Sequence, residues 1–130
     1  MNILQGLKQE LALTYRFIAH DLSMVRHISS RIGVMYLGKL VEVAPANELY
    51  QHPAHPYTRA LLAAVPQPDP RIRNLDEATL RGEIPGPTSP LPGCHFCIRC
   101  PHAMPVCQAQ EPAMQEIAPG HFAACWLFKI

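Results

Sequence analysis

The chain has 130 residues, of which 48% are hydrophobic and 16% are charged, and its net charge at neutral pH is +1. This length supports one modest hydrophobic core. The nearly balanced charge, without a basic run, excludes the electrostatic pattern of a nucleic-acid-binding protein. No apolar stretch approaches the ~20 residues that span a bilayer. The first residues lack the basic-then-apolar order of a signal peptide, so the sequence predicts a cytoplasmic protein.

Proline and cysteine divide the chain into three regions. All 14 prolines lie between Pro45 and Pro119, and all five cysteines lie between Cys94 and Cys125. Residues 66–93 are especially rich in proline, which fixes φ and removes backbone donors, so we predict an extended linker there. The predicted organisation is an α/β part over residues 1–65, this linker over 66–93, and a small cysteine-rich part over 94–130.

The first region predicts a helix, a strand and a second helix. Leucines at helical spacing indicate an amphipathic helix over residues 2–13. β-forming residues over 14–18 predict a strand that ends before His20. Residues 22–29 place apolar side chains on one face, which predicts a two-turn helix capped by Asp21. The strand and the helix after it would form a βα unit.

A hairpin and two short helices are predicted next. Residues 31–36 and 40–43 are β-rich, and the Leu37-Gly38-Lys39 segment between them is typical of a tight turn. Pro45 and Pro56 stand at the expected starts of two short helices, over 45–50 and 57–64. Alternating aromatic residues over 121–128 predict a strand near the C-terminus.

His20 is the first candidate site residue. A histidine at the end of a strand lies at the sheet edge where α/β proteins place ligand-contacting residues. Histidine also occurs at such places for purely structural reasons. Four other residues of this half are interpreted as solvated helix-face or loop residues: Arg26, His27, His52 and His55.

The cysteines form the second candidate site. Five residues separate Cys94 from Cys100, six separate Cys100 from Cys107, and seventeen separate Cys107 from Cys125. Four thiolates with these spacings could surround one zinc ion or one iron–sulfur cluster. Cys97 adds a C-x-x-C-x-x-C run that is typical of bacterial ferredoxins, in which Cys107 or Cys125 would be the fourth ligand. Disulfides and free thiols are the alternatives, and the neighbouring histidines are interpreted as second-shell or solvent-facing residues: His95, His102 and His121.

Two segments carry a resemblance to a known family. Residues 17–25 (FIAHDLSMV) and 31–42 (RIGVMYLGKLVE) resemble the switch-histidine segment and following hairpin of ABC-transporter ATP-binding subunits. The second segment is similar to the C-terminal extension of the oligopeptide, dipeptide and nickel branch of these importers. It comprises Leu49-Tyr50, His52-Pro53, residues 55–62 (HPYTRALL), residues 83–86 (EIPG), Gly93-Cys94, Arg99-Cys100-Pro101, Cys107 and Ala124-Cys125.

This resemblance implies the C-terminal end of an ABC nucleotide-binding domain, arranged as strand, helix, hairpin and helices, followed by the linker and the cysteine-rich extension. It implies that His20 contacts the γ-phosphate of ATP, with magnesium bound elsewhere in the full-length protein. The phosphate loop, signature motif and acidic magnesium-binding strand are absent from this sequence. The resemblance therefore implies a fragment without ATPase activity of its own.

The same resemblance implies partners and a cofactor. The partners are membrane-spanning permease subunits and a second ATP-binding subunit, with this protein on the cytoplasmic face of the membrane. Because some members of the branch carry a [4Fe-4S] cluster, iron–sulfur is favoured over zinc. The implied ligands are Cys94, Cys100, Cys107 and Cys125, and Cys97 is the alternative ligand. The alternative function is a stand-alone iron–sulfur or zinc module.

Overall fold

The computed structural model describes residues 6, 10–12, 14–20, 22–65 and 92–128. Within the first predicted helix, Gly6 and Glu10 are helical and Leu11 and Ala12 are not, while its other residues lie outside this set. Asp21 and residues 66–91 of the predicted linker also lie outside it. No helix among the described residues is long and apolar enough to cross a membrane.

The strand predicted over residues 14–18 is wrong. The described residues 14–19 have no regular secondary structure, and the side chains of Phe17 and Ile18 are 42% and 94% exposed. A β-strand exists only when its backbone groups pair with a neighbouring strand. The strands described in this chain pair with one another and not with this segment. His20 therefore does not end a strand here.

The described elements alternate between short helices and one antiparallel sheet. They are α1 (Leu22–Ile28), β1 (Arg31–Tyr36), β2 (Lys39–Pro45), α2 (Ala46–Gln51), α3 (Pro56–Ala63), α4 (Pro105–Ala109), β3 (Gln115–Ala118), β4 (His121–Ala123) and a 3₁₀ helix at Trp126–Phe128. The four strands lie in the order β1-β2-β4-β3, and each pair of neighbours is antiparallel.

The predicted hairpin is confirmed. Leu37 and Gly38 both have positive φ, at 44° and 76°, which is the geometry of a two-residue turn that matches the twist of the strands. Tyr36 pairs with Lys39 across this turn. Along β1, alternate side chains are buried, so one face of the hairpin contributes to the core.

The cysteine-rich segment shares the core of the hairpin. β4 pairs with β2, placing Ala123 opposite Glu42 and Phe122 opposite Val43. Phe96 is 1% exposed, and its ring meets that of Tyr36 edge to face at 5.1 Å between centroids. The strand predicted over 121–128 is too long, because β4 ends at Ala123 and a 3₁₀ turn follows.

Candidate functional site

His20 is exposed and lies two residues before the start of α1. The helix after it has only seven residues. A helix of two turns is marginal alone, so tertiary contacts must hold it in place. His20 and the cysteines thus lie on separate parts of the fold, with His20 before α1 and the cysteines after Gly93.

The five cysteines come from three segments: the loop after Gly93, the helix α4 and the segment after β4. The first two segments touch through their backbones. The Cys94 N–H donates to the Cys107 carbonyl at 2.7 Å. Gly93 permits this approach, because a Cβ atom there would lie 2.3 Å from the Cys107 oxygen. A tight series of turns over residues 95–99 then presents Cys97 and Cys100. Glycine is thus the only residue type that fits at position 93 without moving the loops.

The thiols are free and largely buried. Burial raises the pKa of Cys94 to about 11 and also raises the pKa values of Cys97, Cys100 and Cys125. Neighbouring sulfurs add to this increase, since Cys107 raises the pKa of each of the four. The thiols of Cys94, Cys97, Cys100 and Cys125 therefore stay protonated at neutral pH unless a cation compensates the charge of the thiolates.

Backbone hydrogen bonds oppose this effect at specific sulfurs. Hydrogen bonds from the backbone of Phe96, His102 and Leu127 lower the pKa values of the thiols two residues before them. The Cys107 sulfur accepts from the Met104 N–H at 3.4 Å. The sulfurs of Cys94, Cys100, Cys107 and Cys125 thus each accept a hydrogen bond from the backbone of a residue two or three positions away. The Cys97 sulfur instead interacts with its own backbone and with that of the next residue, Ile98.

The described residues contain no group of three or more His, Cys, Asp or Glu side chains placed to hold a metal ion. A single zinc ion would require four of the sulfurs to move until each lies about 2.3 Å from one point. A four-iron cluster is wider than a single ion and spaces its thiolate ligands further apart. Binding such a cluster would also require the sulfurs to move.

Glu42 and His121 form a buried pair that the sequence did not indicate. Glu42 is fully buried, and its carboxylate accepts hydrogen bonds from the N–H groups of Ala54 and His55, both at 2.8 Å. The His121 Nε2 atom lies 2.8 Å from the same carboxylate. His121 is therefore not solvent-facing, and its contact with Glu42 binds β4 to the hairpin.

The other side of His121 faces a cleft of about 670 Å³. Its Nδ1 atom lies 3.9 Å from Glu48 Oε1, which also lies 3.2 Å from the Nδ1 atom of the exposed His52. Arg59 borders the same cleft and donates from Nε to the Pro53 carbonyl. The polar groups of the cleft thus hold the loop between α2 and α3 to these two helices, and the Glu48–His121 contact joins α2 to β4.

His55 is also buried, contrary to its interpretation as a solvated loop residue. It is 1% exposed, and its Nδ1 atom accepts the Tyr57 N–H at 3.1 Å, which caps α3 beside Pro56. Burial lowers its pKa from 6.5 to about 4, against an opposing effect of Glu42. The imidazole is therefore neutral at neutral pH.

His55 should make the chain acid-sensitive. Because its pKa is lower in the folded chain than in the unfolded one, its contribution is complete above pH 6.5 and is lost as pH falls toward about 4. The loss amounts to about 3 kcal/mol. We expect urea unfolding between pH 7 and 4 to show this slope, and His55→Asn, which keeps a capping oxygen, to reduce it. His52→Asn is the control, and an equal reduction in that variant would contradict the assignment.

The chain is similar in sequence to known proteins over nearly its whole length. Residues 41–107 match the family described as "Oligopeptide/dipeptide transporter, C-terminal region". The chain belongs to this family. It is 52% identical over 130 residues to the "Putative oligopeptide transport ATP-binding protein YkfD" of Bacillus subtilis, covering 99% of this chain and 40% of YkfD. It is 50% identical to the "Oligopeptide transport ATP-binding protein AppF" of the same organism, covering 98% of this chain and 39% of AppF.

A third relative is a "Putative peptide import ATP-binding protein" of Brucella ovis, 49% identical over 125 residues, which cover 96% of this chain and 39% of the relative. The chain thus spans about two fifths of the length of the curated relatives it matches. The resemblance to peptide-transport ATP-binding subunits is confirmed at the level of the family.

Proposed function

We propose that this chain acts as the C-terminal part of the ATP-binding subunit of a peptide-type ABC importer, where it supplies the switch histidine. The observation that carries the proposal is the match of 96–99% of the chain to relatives named as peptide-transport ATP-binding proteins. In this role the chain works at the cytoplasmic face of the membrane, with permease subunits and a second ATP-binding subunit as partners.

His20 is the residue through which this chain would act on ATP. Its imidazole is exposed at the start of the loop into α1, so a nitrogen-bound proton can be offered to the terminal phosphate. A preorganised donor of this kind stabilises the negative charge of the transferred phosphoryl group. The residues that cradle the other phosphates and bind magnesium are not in this sequence. The chain alone is therefore expected to be inactive.

A chimaera tests the proposal. This chain would replace the matching C-terminal part of YkfD, joined to the upstream part of that relative. We expect the chimaera to hydrolyse Mg-ATP and the upstream part alone to lack this activity. A chimaera that folds and binds Mg-ATP but does not hydrolyse it would contradict the proposal.

The cysteines are proposed to bind a [4Fe-4S] cluster through Cys94, Cys100, Cys107 and Cys125. Three properties support this proposal: the donors are soft thiolates, their sulfurs interact electrostatically, and each accepts a backbone hydrogen bond. Binding requires the sulfurs to move around the cluster. The cluster would supply the positive charge that the buried thiolates lack, and would thereby stabilise the segment after Gly93.

Iron analysis of anaerobically purified protein checks this assignment. We expect about four irons per chain. Cys125→Ser should lose the iron and the brown colour, whereas Cys97→Ser should keep both. The opposite result for these two variants would make the C-x-x-C-x-x-C run the ligand set. Zinc found in place of iron would contradict the assignment of an iron–sulfur cluster.

The stand-alone metal-binding module, the alternative function, receives no support from the comparisons. The relatives match the residues before Cys94 as well as the cysteine-rich segment. The family match likewise begins at Val41, inside the hairpin. A function that needed only the cysteines would not account for a match that also includes the hairpin and α3.

A further inference from the structure

The helix that follows His20 is clamped to α2 at both of its ends. Beyond the C-terminal end of α1, the Ser30 carbonyl accepts the Ala46 N–H at 3.0 Å, where α2 begins. At the N-terminal end, the Leu22 carbonyl accepts a hydrogen bond from the Tyr50 hydroxyl near the end of α2. The two short helices therefore run antiparallel, and each end of α1 has one anchor.

The ring of Tyr50 makes a second contact with the same helix. The Arg26 guanidinium lies over it, 5.2 Å from the ring centroid. A cation at this distance from an aromatic face is attracted to it. Arg26 lies one turn after Leu22, so the hydroxyl and the ring of Tyr50 hold consecutive turns of α1.

We infer that Tyr50 is a positioning residue for His20. This inference rests on the proposed function of His20 as the phosphate-contacting histidine. The Leu22 carbonyl, two residues from His20, is the part of α1 nearest to that imidazole along the chain. Because the segment before His20 is not held in a sheet in this chain and α1 is short, the hydroxyl of Tyr50 limits where His20 can lie. A misplaced donor weakens the interaction with the transferred phosphate without removing the ATP site.

Tyr50→Phe in the chimaera tests the inference, because this change removes the hydroxyl and keeps the ring beneath Arg26. We expect kcat for Mg-ATP hydrolysis to fall about 3- to 10-fold, the effect of one lost hydrogen bond, with KM within about twofold. In this chain alone, amide hydrogen exchange in α1 should accelerate by a similar factor.

Tyr36→Phe is the matched control. Its hydroxyl is buried but has no hydrogen-bond partner among the described residues. That variant should change neither kcat nor exchange in α1. Unchanged kcat in Tyr50→Phe, or a change in KM alone, would overturn the inference if His20→Ala still lowers turnover. If His20→Ala has no effect on turnover, the proposed function fails. In that case, unchanged amide hydrogen exchange of α1 in Tyr50→Phe would also show that the Tyr50 hydroxyl does not hold this helix.

Discussion

Replacing Glu42 with alanine is expected to lower the free energy of unfolding by about 3–5 kcal/mol, the usual cost of removing one partner from a buried charged network. The change leaves two buried N–H groups, those of Ala54 and His55, without an acceptor. It also leaves His121, whose side chain is 3% exposed, without its carboxylate. Each of these groups loses a partner where water cannot replace it.

Urea unfolding followed by the fluorescence of Trp126 measures this effect. Glu48→Ala is the matched control, because Glu48 is half-buried and its contacts with His52 and His121 are longer. That variant should lose under about 1 kcal/mol. Glu42→Gln should fall between the two, since its amide oxygen can still accept. A loss below 1 kcal/mol in Glu42→Ala would show that the C-terminal strands do not depend on this pair.

The second large effect is expected on turnover. In the chimaera, His20→Ala should lower kcat for Mg-ATP hydrolysis by about 10²-fold, the usual effect of removing one preorganised donor from the transition state. Nucleotide binding should change little, because in the proposed arrangement the side chain contacts the terminal phosphate and no other part of ATP.

Steady-state hydrolysis and binding of a fluorescent ATP analogue separate these two quantities. His52→Ala is the control, because His52 is an exposed histidine at the C-terminal end of α2, whose side chain contacts Glu48 of the same helix. It should leave both quantities near the parent values. Equal turnover in the His20→Ala chimaera and its parent would make His20 a solvent-facing residue and would remove the proposed role.

Several features of the fold follow from local sequence. The turn at Leu37-Gly38 needs two residues that reach positive φ, and glycine followed by a β-rich run indicates such a turn without any distant contact. Pro56 starts α3 as expected, since proline is favoured in the first helical turn. The grouping of thiols also follows from spacing, because a short loop keeps Cys94, Cys97 and Cys100 close together.

The strand predicted over residues 14–18 failed for a different reason. β-forming residues such as Phe17 and Ile18 indicate only that a segment can pair, and pairing requires a neighbouring strand. The burial of His55 was also beyond local analysis. His52 and His55 each precede a proline, yet His52 is exposed and His55 is buried. The ring of His55 lies against that of Phe96, 41 residues later in the chain.

The sequence by itself therefore determined the family, the hairpin, α3 and the location of the thiol cluster, because these depend on motifs and on neighbours along the chain. Tertiary structure alone decided that Glu42 meets His121, 79 residues away, and that Tyr50 holds the helix after His20. Each contact forms because polar groups that folding shields from water need a hydrogen-bond partner within the protein. That is settled only when β4 joins β2 and α1 lies against α2.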